Sequence, residues 1–296
     1  MSLLAVTIVL AAAVCHAAWN IVAHGVSRIG MPFLWWGAVA STALWAVVVP
    51  FTGGLGTDDL AGFAIGVVVS AVLHYVYMLV LQRGYASGGL STVYATARGT
   101  GPTISVIIAV LLLGERPSLL ALLGVAAIVV GVVAIGFVDR GSDPSPVAVD
   151  VRATRRRLDP AVAFGLLTGV AIAAYTIWDA HAVRTWGASP VAYMVGCTAV
   201  EVVLFSGSLG RRARELPAVL RAHWPRILAF GVLSPMSYIL VLVAITMAPV
   251  ALVAPMREVS VILVSLFGAL VLREGRPVRR IAAATVVVIG VALLAG

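Results

Sequence analysis

Apolar residues run along this chain in long blocks, separated by short connectors rich in Gly, Pro and charge. A helix crossing a hydrocarbon layer about 30 Å thick needs about 20 apolar residues. On that measure the blocks predict ten spans, at 3–26, 31–52, 60–82, 90–113, 118–138, 160–183, 189–209, 226–247, 249–272 and 278–295. The connectors carry turn formers, among them Gly30-Met31-Pro32, Gly53-Gly54, Gly88-Gly89, Arg116-Pro117, Ser189-Pro190 and Ala248-Pro249. The first block continues from Leu3 to about Ala23 with no basic segment before it, so it reads as a permanent span rather than a cleaved leader.

The longest connector, 139–159, is polar and holds Asp143, Pro144, Pro146 and the run Arg155-Arg156-Arg157. It divides the chain into a first unit, 1–138, and a second, 160–296, which repeat each other at an offset of 159 residues. Trp19-Asn20 falls on Trp178-Asp179, Arg98 on Arg257, Glu115 on Glu274 and Gly131 on Gly290. The segment LLLGERPS (111–118), leading to VVGVVAI (129–135), is echoed by LVLREGRPV (270–278), leading to VVIGVALLAG (287–296). Five helices is an odd number, so the second unit enters the membrane inverted. The expected fold is an all-α membrane protein of ten transmembrane helices, arranged as two inverted five-helix repeats.

Composition agrees: 61% of the 296 residues are hydrophobic, 11% are charged, and the mean hydropathy is +1.09, which excludes an aqueous domain. The formal charge of +8 raises the question of nucleic acid, but the location of the charge answers it. All 20 basic residues are Arg, and 16 of them lie in the odd-numbered connectors, where they act as topology signals and not as a phosphate-binding face. Loop 2–3 carries Asp58 and Asp59 without Arg, whereas its counterpart, loop 7–8, carries Arg211, Arg212, Arg214, Arg221 and Arg226. This opposite bias supports inversion and places the odd loops in the cytoplasm with both termini outside. Cys15 and Cys197 sit in apolar blocks, so neither a disulfide framework nor a Cys metal site is expected.

Two five-helix copies, each with a fourth helix ending in a Leu-rich run, a turn such as Gly114-Glu115-Arg116-Pro117 and a glycine-bearing fifth helix, resemble the EamA domains of the drug/metabolite transporter superfamily. The resemblance covers nearly the whole chain. The second copy departs from it, reading Arg273-Glu274-Gly275-Arg276-Pro277, with Val261 where the first has Pro102. The resemblance implies a secondary transporter of small metabolites. It also implies cytoplasmic termini, opposite to the Arg count.

Ionisable residues inside a span cost several kcal/mol by insertion scales (roughly 3 kcal/mol for Arg or Asp at the centre) and so must line water, find a partner or face the bundle interior. Arg98 and Arg257 lie near the centres of spans 4 and 9. As a pair they suit an anionic or carboxylate-bearing solute, which a guanidinium grips with two prongs; the alternative is structural arginines neutralised by a carboxylate or by free carbonyls. Pro102 removes the bond normally accepted by the Arg98 carbonyl and Pro255 frees that of Ala251, so both are candidate helix breaks at a binding site. Glu201 and Glu258 are the candidate proton-coupling carboxylates, a static ion pair with Arg98 or Arg257 being the competing role. Glu258 points about 100° away from Arg257 on an ideal helix and is expected to seek another helix. Asn20, His74, Tyr77, Trp178 and Tyr238 complete the expected substrate-binding set. His16, His24, Asp179 and His181 are weaker candidates, the last three because they lie near span ends.

These readings converge on secondary active transport, in the export direction, of amino acids or other carboxylate-bearing solutes, by alternating access and with proton coupling as an option. Multidrug or cationic-compound efflux and lipid-carrier flipping remain open. The chain has no G-x-x-x-x-G-K-[ST], H-E-x-x-H or G-x-S-x-G segment, so neither ATP-driven transport by this chain nor enzymatic activity is expected. The expected partners are a small-molecule substrate and the bilayer of the plasma or inner membrane, with a homodimer open; no nucleic acid, cofactor or metal is expected.

Overall fold

A computed structural model describes residues 1–23, 26, 29–87, 90–140, 160–270 and 277–295. Eleven α-helices follow one another among these residues, without a strand: α1 (Leu3–Ala23), α2 (Met31–Ala46), α3 (Leu60–Ser87), α4 (Leu90–Leu111), α5 (Leu119–Arg140), α6 (Pro160–Thr185), α7 (Pro190–Leu209), α8 (Leu216–Met247), α9 (Val250–Met256), α10 (Val259–Leu270) and α11 (Pro277–Ala295). Among the described residues, five helical stretches are long and apolar enough to cross a membrane, including Pro190–Met247, in which α7 passes through a 3-10 turn directly into α8. An all-helical solution follows from the sequence, because a backbone in hydrocarbon must satisfy its own N–H and C=O groups. Large aliphatic side chains such as Leu111, Leu112, Val203 and Val288 face outward, while the polar exceptions Arg98, Asp179, Arg257 and Glu258 are buried.

The described helices correct several expected boundaries. The ninth expected span is two helices, α9 and α10, interrupted at Arg257-Glu258. The eighth begins ten residues earlier than expected, since α8 continues through Pro225 and Pro235. The second ends at Ala46 and is followed by a 3-10 turn over Val49–Thr52. Residues 141–159 of the expected linker, and the segment 271–276 with Glu274, lie outside the described residues, as does His24.

Glycine sets the closest helix contacts. A Cβ on Gly165 or Gly169 of α6 would fall 2.6 Å from the Cβ of Thr96 or Thr100 of α4, and Gly124 of α5 and Gly290 of α11 each lie against the other's carbonyl. Small residues of this kind let backbones approach where lipid supplies no hydrophobic drive between helices. The α4–α6 contact fixes the position of α4, the helix that carries Arg98.

A polar clamp fixes the start of α9. The carboxylate of Glu115, in the α4–α5 connector, accepts hydrogen bonds from the Val250 and Ala251 amides, both at 2.8 Å. It also pairs with Arg184 Nη1 at 2.8 Å, while Arg184 donates from Nε to the Ile245 carbonyl (2.8 Å) and from Nη2 to that of Ala248 (2.6 Å). One carboxylate thus satisfies two orphan amides of α9 and joins that helix to the ends of α6 and α8. Glu115→Ala is expected to lower stability by about 1–2 kcal/mol, the scale of a lost helix cap, read as a fall in unfolding temperature of the detergent-purified protein. An unchanged temperature would show that the clamp carries no stability.

Candidate functional site

Two buried arginines and one buried glutamate meet at the interruption between α9 and α10. Arg98 Nη1 donates to both oxygens of Glu258, at 3.3 and 3.2 Å, and its Nη2 lies 2.8 Å from His16 Nε2 of α1. A guanidinium only donates, so His16 accepts on Nε2 and is neutral, with its proton on Nδ1. The Arg98 guanidinium carbon also stands 5.0 Å from the centre of the Tyr94 ring, a cation–π distance. Arg257 Nε approaches Glu258 Oε1 only to 3.7 Å, and this buried N–H finds no hydrogen-bond acceptor among the described residues. Two guanidiniums share one carboxylate, so the group keeps a formal charge of +1.

The interruption makes this arrangement possible. On a continuous helix Glu258 would turn away from its neighbour; here Glu258 N bonds to Pro255 O, Ser260 N to Arg257 O and Val261 N to Glu258 O, a tightened course three residues apart instead of four. Pro255 lies two residues ahead of the break. Pro102 does not interrupt α4, which is helical throughout. The expected break at Pro102 is therefore corrected. The Thr103 and Ser105 hydroxyls donate to the Gly99 and Gly101 carbonyls (2.7 and 2.9 Å), supplying side-chain donors beside the proline.

Next to the charged group is an aromatic one. His74 of α3 stacks on Tyr175 of α6 with ring centres 4.1 Å apart, and Tyr238 of α8 meets both rings edge-on. Tyr77 packs edge-on against Tyr175 at 5.7 Å. Tyr238 also joins this cluster to Asp179, whose Oδ2 accepts its hydroxyl at 2.5 Å while Oδ1 accepts that of Tyr193 at 2.8 Å.

The structure thus gathers Arg98, Arg257 and Glu258 in one group, and His74, Tyr77 and Tyr238 in the neighbouring one. Asn20 turns back on its own helix and donates to the His16 carbonyl at 2.7 Å. Trp178 donates to the Gly66 carbonyl at 3.0 Å and packs against Trp186 and His181, so it fastens α6 to α3. Glu201 is half-buried on α7, one and two turns beyond Cys197 and Tyr193, with no hydrogen bond or ion pair among the described residues. His16, Tyr175, Asp179 and Tyr193 carry more of the buried polar structure than the sequence assigned to them. The available signal was spacing: Tyr175 and Asp179 are four apart, and Asp179 repeats Asn20.

Apolar helices that enclose converging charges define a protein of the membrane interior. Residues 159–296 match the EamA-like transporter family. The match spans the second five-helix unit, so this part of the chain resembles an EamA-like transporter domain. No curated protein matches it in sequence. A solved structure described as "Crystal structure of protein" shares its fold, with a TM-score of 0.71 over 99% of this chain and 96% of that one, at 14% sequence identity.

Proposed function

We propose that this protein is a secondary active carrier, working in the export direction, for small carboxylate-bearing solutes such as amino acids or other organic acids. It lies in the plasma or inner membrane as ten spans, α9 and α10 forming one interrupted span, and its two inverted five-helix units (1–138 and 160–296, joined by 139–159) rock about the central site by alternating access. The observation that carries this reading is the buried Arg257 Nε–H, which lacks an acceptor beside a group of net positive charge. A buried unsatisfied donor costs about 1–3 kcal/mol, and a solute carboxylate placed there would recover it.

In this reading Arg257 takes the solute carboxylate, Arg98 and Glu258 set its position and charge, and Tyr77, Tyr175 and Tyr238 bound the remainder of the solute. The same aromatic cluster favours a second reading, efflux of cationic compounds, since aromatic faces attract cations. Counterflow in proteoliposomes separates the two: vesicles loaded with an unlabelled amino or organic acid are expected to accumulate the labelled form transiently. Counterflow confined to cationic dyes would replace the first reading with the second.

A further inference from the structure

Asp179 is fully buried, yet among the described residues it forms no ion pair, whereas Glu258 lies between two arginines. Its hydrogen bonds have a particular property. The Tyr193 hydroxyl is 2.8 Å from Asp179 Oδ1 and 3.0 Å from the Gly66 carbonyl, so its single proton faces two acceptors. With Asp179 ionised, Tyr193 donates to Oδ1, and Gly66 keeps the indole N–H of Trp178 at 3.0 Å. With a proton on Oδ1, that proton points to the Tyr193 oxygen and the Tyr193 hydroxyl turns to Gly66. Both charge states keep their bonds through one hydroxyl rotation and no movement of heavy atoms.

The geometry points to Asp179 as the proton-binding site of the carrier, through which a proton gradient is coupled to solute movement; this rests on the transport reading given above. Tyr193 of α7 and Tyr238 of α8 donate to it, and the other titratable groups within electrostatic reach are His74 of α3 and Cys197 and Glu201 of α7. The ion bound is a hydron taken from water and held on Oδ1, with no other bond made or broken. Tyr238 is the link to the solute site. A neutral Asp179 is a weaker acceptor, which loosens, without breaking, the hydrogen bond from the Tyr238 hydroxyl that stands in the aromatic group beside Arg257. This moves the coupling role from Glu201 and Glu258, where the sequence analysis set it, to Asp179.

The test is infrared difference spectroscopy of the purified full chain between acidic and alkaline buffers, which needs no solute. Wild type is expected to show a carboxylic-acid C=O band that appears on acidification. Asp179→Asn should lose it, and Glu201→Gln and Glu258→Gln should keep it. Tyr193→Phe should move the band to higher frequency, because the protonated carboxyl then lacks its acceptor; this arm holds even if Asp179→Asn fails to fold. A band that persists in Asp179→Asn, that disappears in Glu201→Gln or Glu258→Gln, or that does not move in Tyr193→Phe overturns the assignment. If wild type shows no counterflow of any acid while the band behaves as expected, the carrier reading fails and the proton site stands.

Discussion

Replacing Glu258 by alanine is expected to destabilise the protein by about 3–5 kcal/mol, the cost of breaking a buried ion pair from one side. Glu258 is 1% exposed and is the carboxylate that both Arg98 and Arg257 approach. Without it two guanidiniums remain in the interior with no countercharge and repel each other. The measurement is unfolding of the purified variant in mixed micelles, with Glu258→Gln alongside: the amide preserves shape and one acceptor but not charge, and should fall between wild type and alanine. Wild-type stability in Glu258→Ala would show that the arginines are neutralised by something other than this residue.

Arg257→Ala is expected to separate binding from stability. Arg98 retains Glu258 through Nη1, at 3.2 and 3.3 Å, so one balanced pair survives and the variant should fold. What is lost is the donor without a partner. Affinity for a carboxylate solute should fall at least about 30-fold, the equivalent of roughly 2 kcal/mol for a buried charge-assisted contact. Arg257→Lys should not restore it, because an ammonium is a point charge without the planar fork that matches a carboxylate. Solute affinity is to be read by equilibrium binding to the detergent-solubilised protein. Unchanged affinity in Arg257→Ala would make Arg257 a structural residue and leave the aromatic group as the candidate solute contact.

That the chain is all-helical with apolar membrane-spanning helices was legible in the sequence because hydrocarbon thickness imposes a minimum apolar length, and the buried charged residues were legible because few survive inside such blocks. That Glu258 would look beyond its own helix was legible from the 100° step, and Arg98 of α4 is what it meets. The position of the break was not. Proline stands at both Pro102 and Pro255, yet α4 runs unbroken through Pro102 while α9 ends one residue after Pro255, and no apolar pattern distinguishes the two. Asp179 was discounted by its place near a span end, yet α6 continues to Thr185 and Tyr193 and Tyr238 cover the carboxylate from α7 and α8. Trp178 shows the reverse case: an indole expected in the site is engaged by a backbone carbonyl of α3. In each instance the missing information is which helix lies opposite, and that follows from close approaches such as Gly169 against Thr100, not from the pattern of any single helix.

The central claim, that the buried arginine pair serves a carboxylate-bearing solute, is tested most directly by ligand stabilisation of the purified chain. A solute that binds the folded state at about 100 times its Kd adds about 2.7 kcal/mol of apparent stability. The screen sets amino acids and organic acids against cationic drugs, with wild type and Arg257→Ala in parallel. The expected result is a rise in unfolding temperature with one or more carboxylates in wild type, absent in Arg257→Ala. Stabilisation by cations alone, or by carboxylates equally in both proteins, would contradict it.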